Sequence, residues 1–214
     1  DVQVGEDESI KVIESIDAYF ATPKHGIIRK LPTRWRTDTI NTPRRTSIEN
    51  ISVDSKFVTE KDLGNQELDI RIGDSEKTVS GLQHYEIGYT YRIDKENESS
   101  FDEFYYNLIE EQRDVSNITF TIRLPKEFDI SRIGFSSGIA GSTNNNVIYY
   151  VDGNTIHGFY DGILSYGSIT ARVALDDGYY NNPGVSAPAP GKAIKIAIPA
   201  IVIFLAVVFI LWYL

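Results

Sequence analysis

YEIGYTYRI, residues 85–93, alternates without interruption: Tyr85, Ile87, Tyr89, Tyr91 and Ile93 fall on one side, and Glu86, Gly88, Thr90 and Arg92 on the other. A period of two sends successive side chains to opposite faces of a strand, so this stretch predicts a strand with one face in a core. The same period recurs on both sides of it. In NITFTIRLP (117–125) Ile118, Phe120, Ile122 and Leu124 alternate with polar residues, and Leu68, Ile70 and Ile72 repeat the pattern, as do Ile169, Ala171, Val173 and Leu175. VIYYVDGNTIHGF (147–159) sets a DG turn between two short runs, which reads as a hairpin. With Ser9 to Phe20 and Thr46 to Val53 added, about nine strands separated by turn clusters are expected, with no βα alternation and no internal repeat. The expectation is an all-β fold, an antiparallel β-sandwich of immunoglobulin-like size over residues 1–180.

One segment gives two answers. In SFDEFYYNLIEEQ (100–112), Phe101, Phe104, Tyr105, Leu108 and Ile109 follow helical spacing, and Ser100 with Glu103 imitates a capping box. The density of Tyr and Phe and the strands on either side favour a strand instead. Both readings stand at this point, with strand preferred.

Composition narrows the chemistry. The 214 residues include no Cys, which removes thiolate catalysis, disulfides and cysteine metal sites, and the three His, at 25, 84 and 157, lack ligand spacing. No cofactor and no metal site is expected. Asp94, Glu96, Asn97 and Asp102 carry oxygens but not the spacing of a calcium loop. Asp102 and Glu103 are adjacent, and neighbours in a strand point to opposite faces, so they cannot flank one sugar ring as a pair of glycosidase carboxyls must. No catalytic residue emerges.

The chain closes on an apolar run. Ile196 to Leu214, IAIPAIVIFLAVVFILWYL, carries no charged residue. At about 1.5 Å per residue it extends roughly 30 Å, a bilayer hydrocarbon core, and it lacks the polar stripe of a buried soluble helix. A single transmembrane helix over 193–214 is expected, anchored at its far end by Trp212 and Tyr213. Before it, residues 181–192 form a Pro, Gly and Ala tether. Lys192 and Lys195 cast a weak vote for the cytoplasm on the near side. Against that, a chain opening at Asp1 without Met suggests a removed signal peptide or a piece of a longer protein.

Two charge features call for a partner. The parity that turns Ile10, Val12, Ile16, Ala18 and Phe20 inward also turns Glu14 inward, unless a bulge at Ile13 reverses it. A buried carboxylate needs a counter-charge, and Arg29, one strand later, is the candidate for a structural ion pair. The second feature is a basic window. Lys24 to Arg45 holds seven Lys or Arg and one acid, Asp38, so it carries +6 while the remainder of this −9 chain carries −15. An acidic chain does not suit nucleic acid. Arg29, Lys30, Arg34, Trp35, Arg36, Arg44 and Arg45 are therefore read either as a strand and loop lying against the acidic remainder, or as a contact for anionic lipid or an anionic wall polymer.

HGIIRKLP (25–32), IRIGDSEKTVSGLQHYEIGYTYRI (70–93), DEFYYNLI (102–109) and ITFTIRLP (118–125), in that order, resemble the N-terminal region of the YciQ-like predicted membrane proteins, domain of unknown function family 2207. The similarity runs over residues 8 to 178. It implies a signal peptide, a β-rich domain outside the cytoplasmic membrane of a prokaryote, a transmembrane helix and a longer C-terminal part. The family pattern has an aromatic residue where Ile28 stands, an acid at Lys30 and Trp at Tyr106, so the charge of the arm is a feature of this chain. No catalytic residue follows from the resemblance. The function expected is a membrane-anchored binding or assembly module of the cell envelope, N-terminal domain outside, with an envelope carbohydrate hydrolase as the alternative.

Overall fold

The computed structural model describes residues 1–35, 44–62, 66–93, 102–111, 113–139 and 141–181. Asp1–Gly184 forms one compact unit. Its largest sheet has eight strands, in the order β13 (Val147–Asp152), β14 (Thr155–Tyr160), β11 (Thr119–Arg123), β1 (Val2–Val4), β2 (Ile10–Lys24), β8 (Val79–Ile93), β5 (Arg44–Val53) and β4 (Arg34–Trp35). One three-stranded sheet runs β12 (Ile133–Gly138), β16 (Ser168–Ala174), β9 (Glu103–Glu110); another runs β3 (Gly26–Pro32), β7 (Glu67–Gly73), β6 (Phe57–Asp62). A short pair joins β10 (Asp114–Ser116) to β15 (Ile163–Ser165). The only helical turn among the described residues is of 3-10 type, Ile130–Arg132.

The alternation of residues 85–93 is realised in full. Tyr85, Ile87, Tyr89, Tyr91 and Ile93 are buried, and their neighbours are exposed or half-buried. They meet the inward residues of β9 and β16, among them Phe104, Tyr106, Ile169, Ala171 and Val173, and those of β3 and β7, among them Leu31, Leu68, Ile70 and Ile72, in one hydrophobic cluster. Burying a side chain of this size contributes roughly 1.5–3 kcal/mol, which is why the period of two dominates the folding of these segments.

The segment with two readings is a strand. β9 pairs with β16 from Glu103↔Ala174 to Glu110↔Ser168, and Phe104 and Tyr106 are buried while Tyr105 is half-buried, the period of a strand. Pairing with β16 and burial of two rings override a helical pattern that rested on local spacing.

Two expectations need correction. The described residues hold sixteen strands rather than about nine, and strands as short as β1, β4, β10 and β15, two or three residues each, show no period in the sequence. The large sheet is mixed rather than antiparallel throughout: β1 lies parallel to β11, Val2 opposite Ile122 and Gln3 opposite Arg123. A three-residue strand carries no sequence signal for its distant partner. The expected helix over 193–214 and nearly all of the tether over 181–192 lie outside the described residues, as do Asp94, Glu96 and Asn97. Among the described residues no helix is long and apolar enough to cross a membrane.

Candidate functional site

β2 keeps its parity through Glu14: Ile13 points out, 42% exposed, and Glu14 points in. β3 does the same with Arg29, since Ile27, Arg29 and Leu31 face inward while Ile28 and Lys30 face out. The two strands follow one another in the chain but lie in different sheets, so the Glu14 and Arg29 side chains meet across the core. Arg29 Nε donates to Glu14 Oε2 at 2.8 Å, and Nη2 donates to Oε1 at 2.8 Å, a bidentate pair. Nη1 donates to the Lys30 carbonyl at 3.0 Å.

Two tyrosines complete this node. The Tyr89 hydroxyl donates to Glu14 Oε1 at 2.6 Å and lies 3.2 Å from the Tyr106 hydroxyl, so β2, β3, β8 and β9, from three sheets, are tied by one polar network. Burial pushes the Glu14 carboxyl up, but the charge and hydrogen bonds of Arg29 and the Tyr89 hydroxyl outweigh it and hold the group below the ordinary range. Burial, then the charge of Glu14, raises the Tyr106 hydroxyl; burial first, then Tyr106 and Glu14, raises Tyr89 well above its usual value. The carboxylate is thereby kept ionised and the phenols neutral. A buried, ionised carboxylate that accepts three hydrogen bonds from within the fold acts as a structural brace. Tyr89 and Tyr106 were not singled out from the sequence; the signal was the inward parity of two hydroxyl-bearing rings, each of which needs a buried partner.

The basic window divides. Arg29 is 8% exposed and belongs to the node, so it is withdrawn from any surface. Lys30 is exposed but bridges Glu67 and Asp69 at 3.1 Å each, acids from distant β7. Arg34 is exposed on β4; its backbone pairs with Arg45, and that of Trp35 with Arg44. Arg36 lies outside the described residues.

The position of this β4–β5 hairpin follows from the register. Asn181, the last described residue, donates its N–H to Glu6 in the turn between β1 and β2. That turn leads into Ile10, which lies opposite Tyr91, and Tyr91 lies opposite Ile48 of β5. Thr46 pairs with Ile93, the last residue of β8, and Arg45, Arg44, Arg34 and Trp35 lie beyond it. The basic hairpin therefore overhangs the large sheet at the same end at which the chain leaves toward residue 182. Acids nearby are already engaged: Arg92 bridges Asp7 at 2.9 Å and Glu49 at 3.0 Å.

Among the described residues no group of His, Asp and Glu is arranged to hold a metal ion. Asp102 and Glu103 serve different partners: Asp102 accepts the N–H of Tyr180, and Glu103 accepts from Arg172 at 3.1 Å.

Residues 1–166 match the family described as the predicted membrane protein (DUF2207) N-terminal domain. The chain belongs to this family. The DUF2207 match ends before β16, the central strand of the sheet it shares with β12 and β9, so the domain is completed by residues past the matched region. No curated protein and no solved structure matches the chain.

Proposed function

We propose that this DUF2207 domain is a membrane-anchored binding or assembly module of a prokaryotic cell envelope. It lies outside the cytoplasm, is held by a single span over 193–214, and rests its β4–β5 end on anionic lipid headgroups. The observation that supports this most is the shared end: the basic hairpin and the exit toward the apolar C-terminal run lie together. The basic residues of that end match an anionic headgroup layer in sign. A binding role is preferred over a hydrolytic one because Glu14, Asp102 and Glu103 are each committed to a partner within the fold.

The test uses residues 1–184, which form a compact unit with its own core. Each basic residue near an anionic surface contributes about 1 kcal/mol, so replacing Arg34, Arg44 and Arg45 by Ala should lower partition onto phosphatidylglycerol vesicles about a hundredfold at low salt. Binding to neutral vesicles should be absent, and binding to anionic ones should fade near physiological ionic strength. Equal sedimentation of parent and variant would remove the headgroup contact. Binding to a soluble anionic wall polymer with none to vesicles would transfer the hairpin to the wall.

A further inference from the structure

A free sheet edge offers unpaired N–H and C=O groups to any passing strand, and folded domains shorten, charge, bulge or cover such edges. Three other edges among the described residues show these devices. β4, at one margin of the large sheet, is two residues long; β6 bears Glu60, Lys61 and Asp62; β9 meets β16 across a bulge. β13, at the other margin of the large sheet, has none of them. Its six residues pair with β14 in unbroken register and include no Lys, Arg or Pro. Its outer face is apolar as well: Ile148 and Tyr150 are 51% and 65% exposed, Ile148 lies opposite Phe159, and the Tyr150 ring stacks on that of His157.

The hairpin decides which backbone groups the edge offers. Gly153 and Asn154 form a two-residue turn, so Asp152 and Thr155 exchange both backbone hydrogen bonds, as do Tyr150 with His157 and Ile148 with Phe159. Tyr160 donates its N–H to Ile118 on the far side of β14, as this alternation requires. The backbone groups of Val147, Tyr149 and Val151 therefore point to the open margin, where the Val147 N–H is capped by the Asn145 side chain at 2.9 Å.

We infer that β13 pairs antiparallel with β13 of a second copy of this chain, joining two large sheets into one. The strand is complementary to itself. With Tyr149 on the two-fold axis, Tyr149 lies opposite its own copy, Val147 opposite Val151, and Ile148 opposite Tyr150, so the pairs are apolar on both faces. The Tyr149 residues exchange N–H and C=O, and each Val151 N–H reaches the opposite Val147 carbonyl. This register sets Asp152 opposite Asn146 and keeps the two Asp152 carboxylates at opposite ends, whereas an axis at Tyr150 would set Asp152 against Ile148. A foreign strand could take the hydrogen bonds, but the mirror order of Val, apolar, Tyr, apolar, Val selects a second copy. Neighbouring strands rotate by roughly 20–25°, so the five steps from β13 to β8 turn the strand direction by about a right angle. The two-fold axis, perpendicular to the sheet at β13, then runs nearly along β8, and both chains leave on one side, as two copies anchored in one membrane require. The pairing does not rest on the headgroup contact, since the basic hairpin lies at the opposite margin of the sheet.

The chain contains no Cys, so oxidising single-Cys variants of the full chain in neutral detergent traps a pair without competing thiols or lipid charge. Directly opposed residues have Cα atoms about 4.5–5.5 Å apart, within reach of a disulfide, and diagonal neighbours at about 7–8 Å are not. Tyr149→Cys should therefore cross-link with itself. Ile148→Cys and Tyr150→Cys should each cross-link poorly alone and about tenfold faster when mixed. Tyr19→Cys, at a position 75% exposed on the same sheet away from β13, gives the rate of random collision. Val151→Pro removes an outward N–H and leaves the β14 ladder whole, so in the Tyr149→Cys background it should slow cross-linking about tenfold. Tyr150→Lys adds an edge charge at an exposed position and should slow it severalfold. Cross-linking of Tyr149→Cys at the Tyr19→Cys rate overturns the proposal, as does a rate that neither Val151→Pro nor Tyr150→Lys lowers, or mixing that brings no gain. In the source cells, a Tyr149→Cys adduct with another protein in place of the dimer would give the edge to a foreign strand and equally overturn it.

Discussion

Arg29 and Arg34 stand five residues apart in one basic window, and they have opposite fates. Arg29 occupies an inward position of β3 and gives three hydrogen bonds to the fold; Arg34 is exposed on a two-residue strand at the edge of another sheet. The difference is set by parity and by what lies opposite. An inward carboxylate on β2 faces β3, while β4 has only the short start of β5 beside it. Charge content alone therefore says little about function. The same residue type serves here as a brace between sheets and, a few residues on, as an overhanging positive edge.

The brace is the place where a single change should cost most. Removing one partner of a buried pair strands the other, a loss of about 3–5 kcal/mol, so Glu14→Gln should lower the melting temperature by roughly 6–20 °C. A melt within two degrees of the parent would show that the pair is not energetically coupled to the core. The double variant Glu14→Leu with Arg29→Met should lose much less than either single change, because no charge is left unpaired. Acid should act in the same direction as Glu14→Gln. The folded-state carboxyl titrates below its unfolded value, so its contribution is present above about pH 4.3 and is lost as pH falls through the lowered folded value.

A smaller effect is expected from the phenols of the same node. Their folded-state values are raised, so the folded state keeps protons that the unfolded state releases above about pH 10, and stability falls as pH rises past that point. Tyr106→Phe removes one titrating group together with its contact to Tyr89. At neutral pH this should cost about 1 kcal/mol, and the alkaline fall should become shallower than in the parent. Identical slopes above pH 10 in urea titrations would mean that Tyr106 does not contribute to the alkaline transition.

What could be read in advance follows the reach of each signal. Burial of alternate residues is local, so β8, β11 and the hairpin around Gly153 were legible, as was the inward parity of Glu14. The division into sheets was not. The chain passes from β2 into β3 at Gly26, whose φ of 124° and contact with Ile72 admit no side chain, yet a lone Gly after His25 does not say that the next strand joins a different sheet. The β1–β11 pairing joins residues about 120 apart in sequence, and nothing in three residues specifies it. The aromatic outer face was available in principle, since a DG hairpin fixes which residues of IYYVDGNTIHGF share a face.

The smallest expected change in stability tests the comparison most sharply. Reversing an exposed charge that no network depends on moves the melting temperature by roughly 2 °C at most, so Arg34→Glu should melt like the parent. Lys30→Glu should not, because Glu67 and Asp69 would then face a third acid across β3 and β7. Binding to anionic vesicles should reverse that order. Lys30 already satisfies two carboxylates on the outer face of a three-stranded sheet, so its reversal should leave vesicle binding nearly intact. Arg34 lies on the overhanging hairpin, so its reversal should reduce binding severalfold and flatten the salt dependence. One variant then loses stability and keeps binding, while the other keeps stability and loses binding. If both variants changed both properties together, the window would act as a single electrostatic unit, and the distinction between an inner brace and an outer contact would fail.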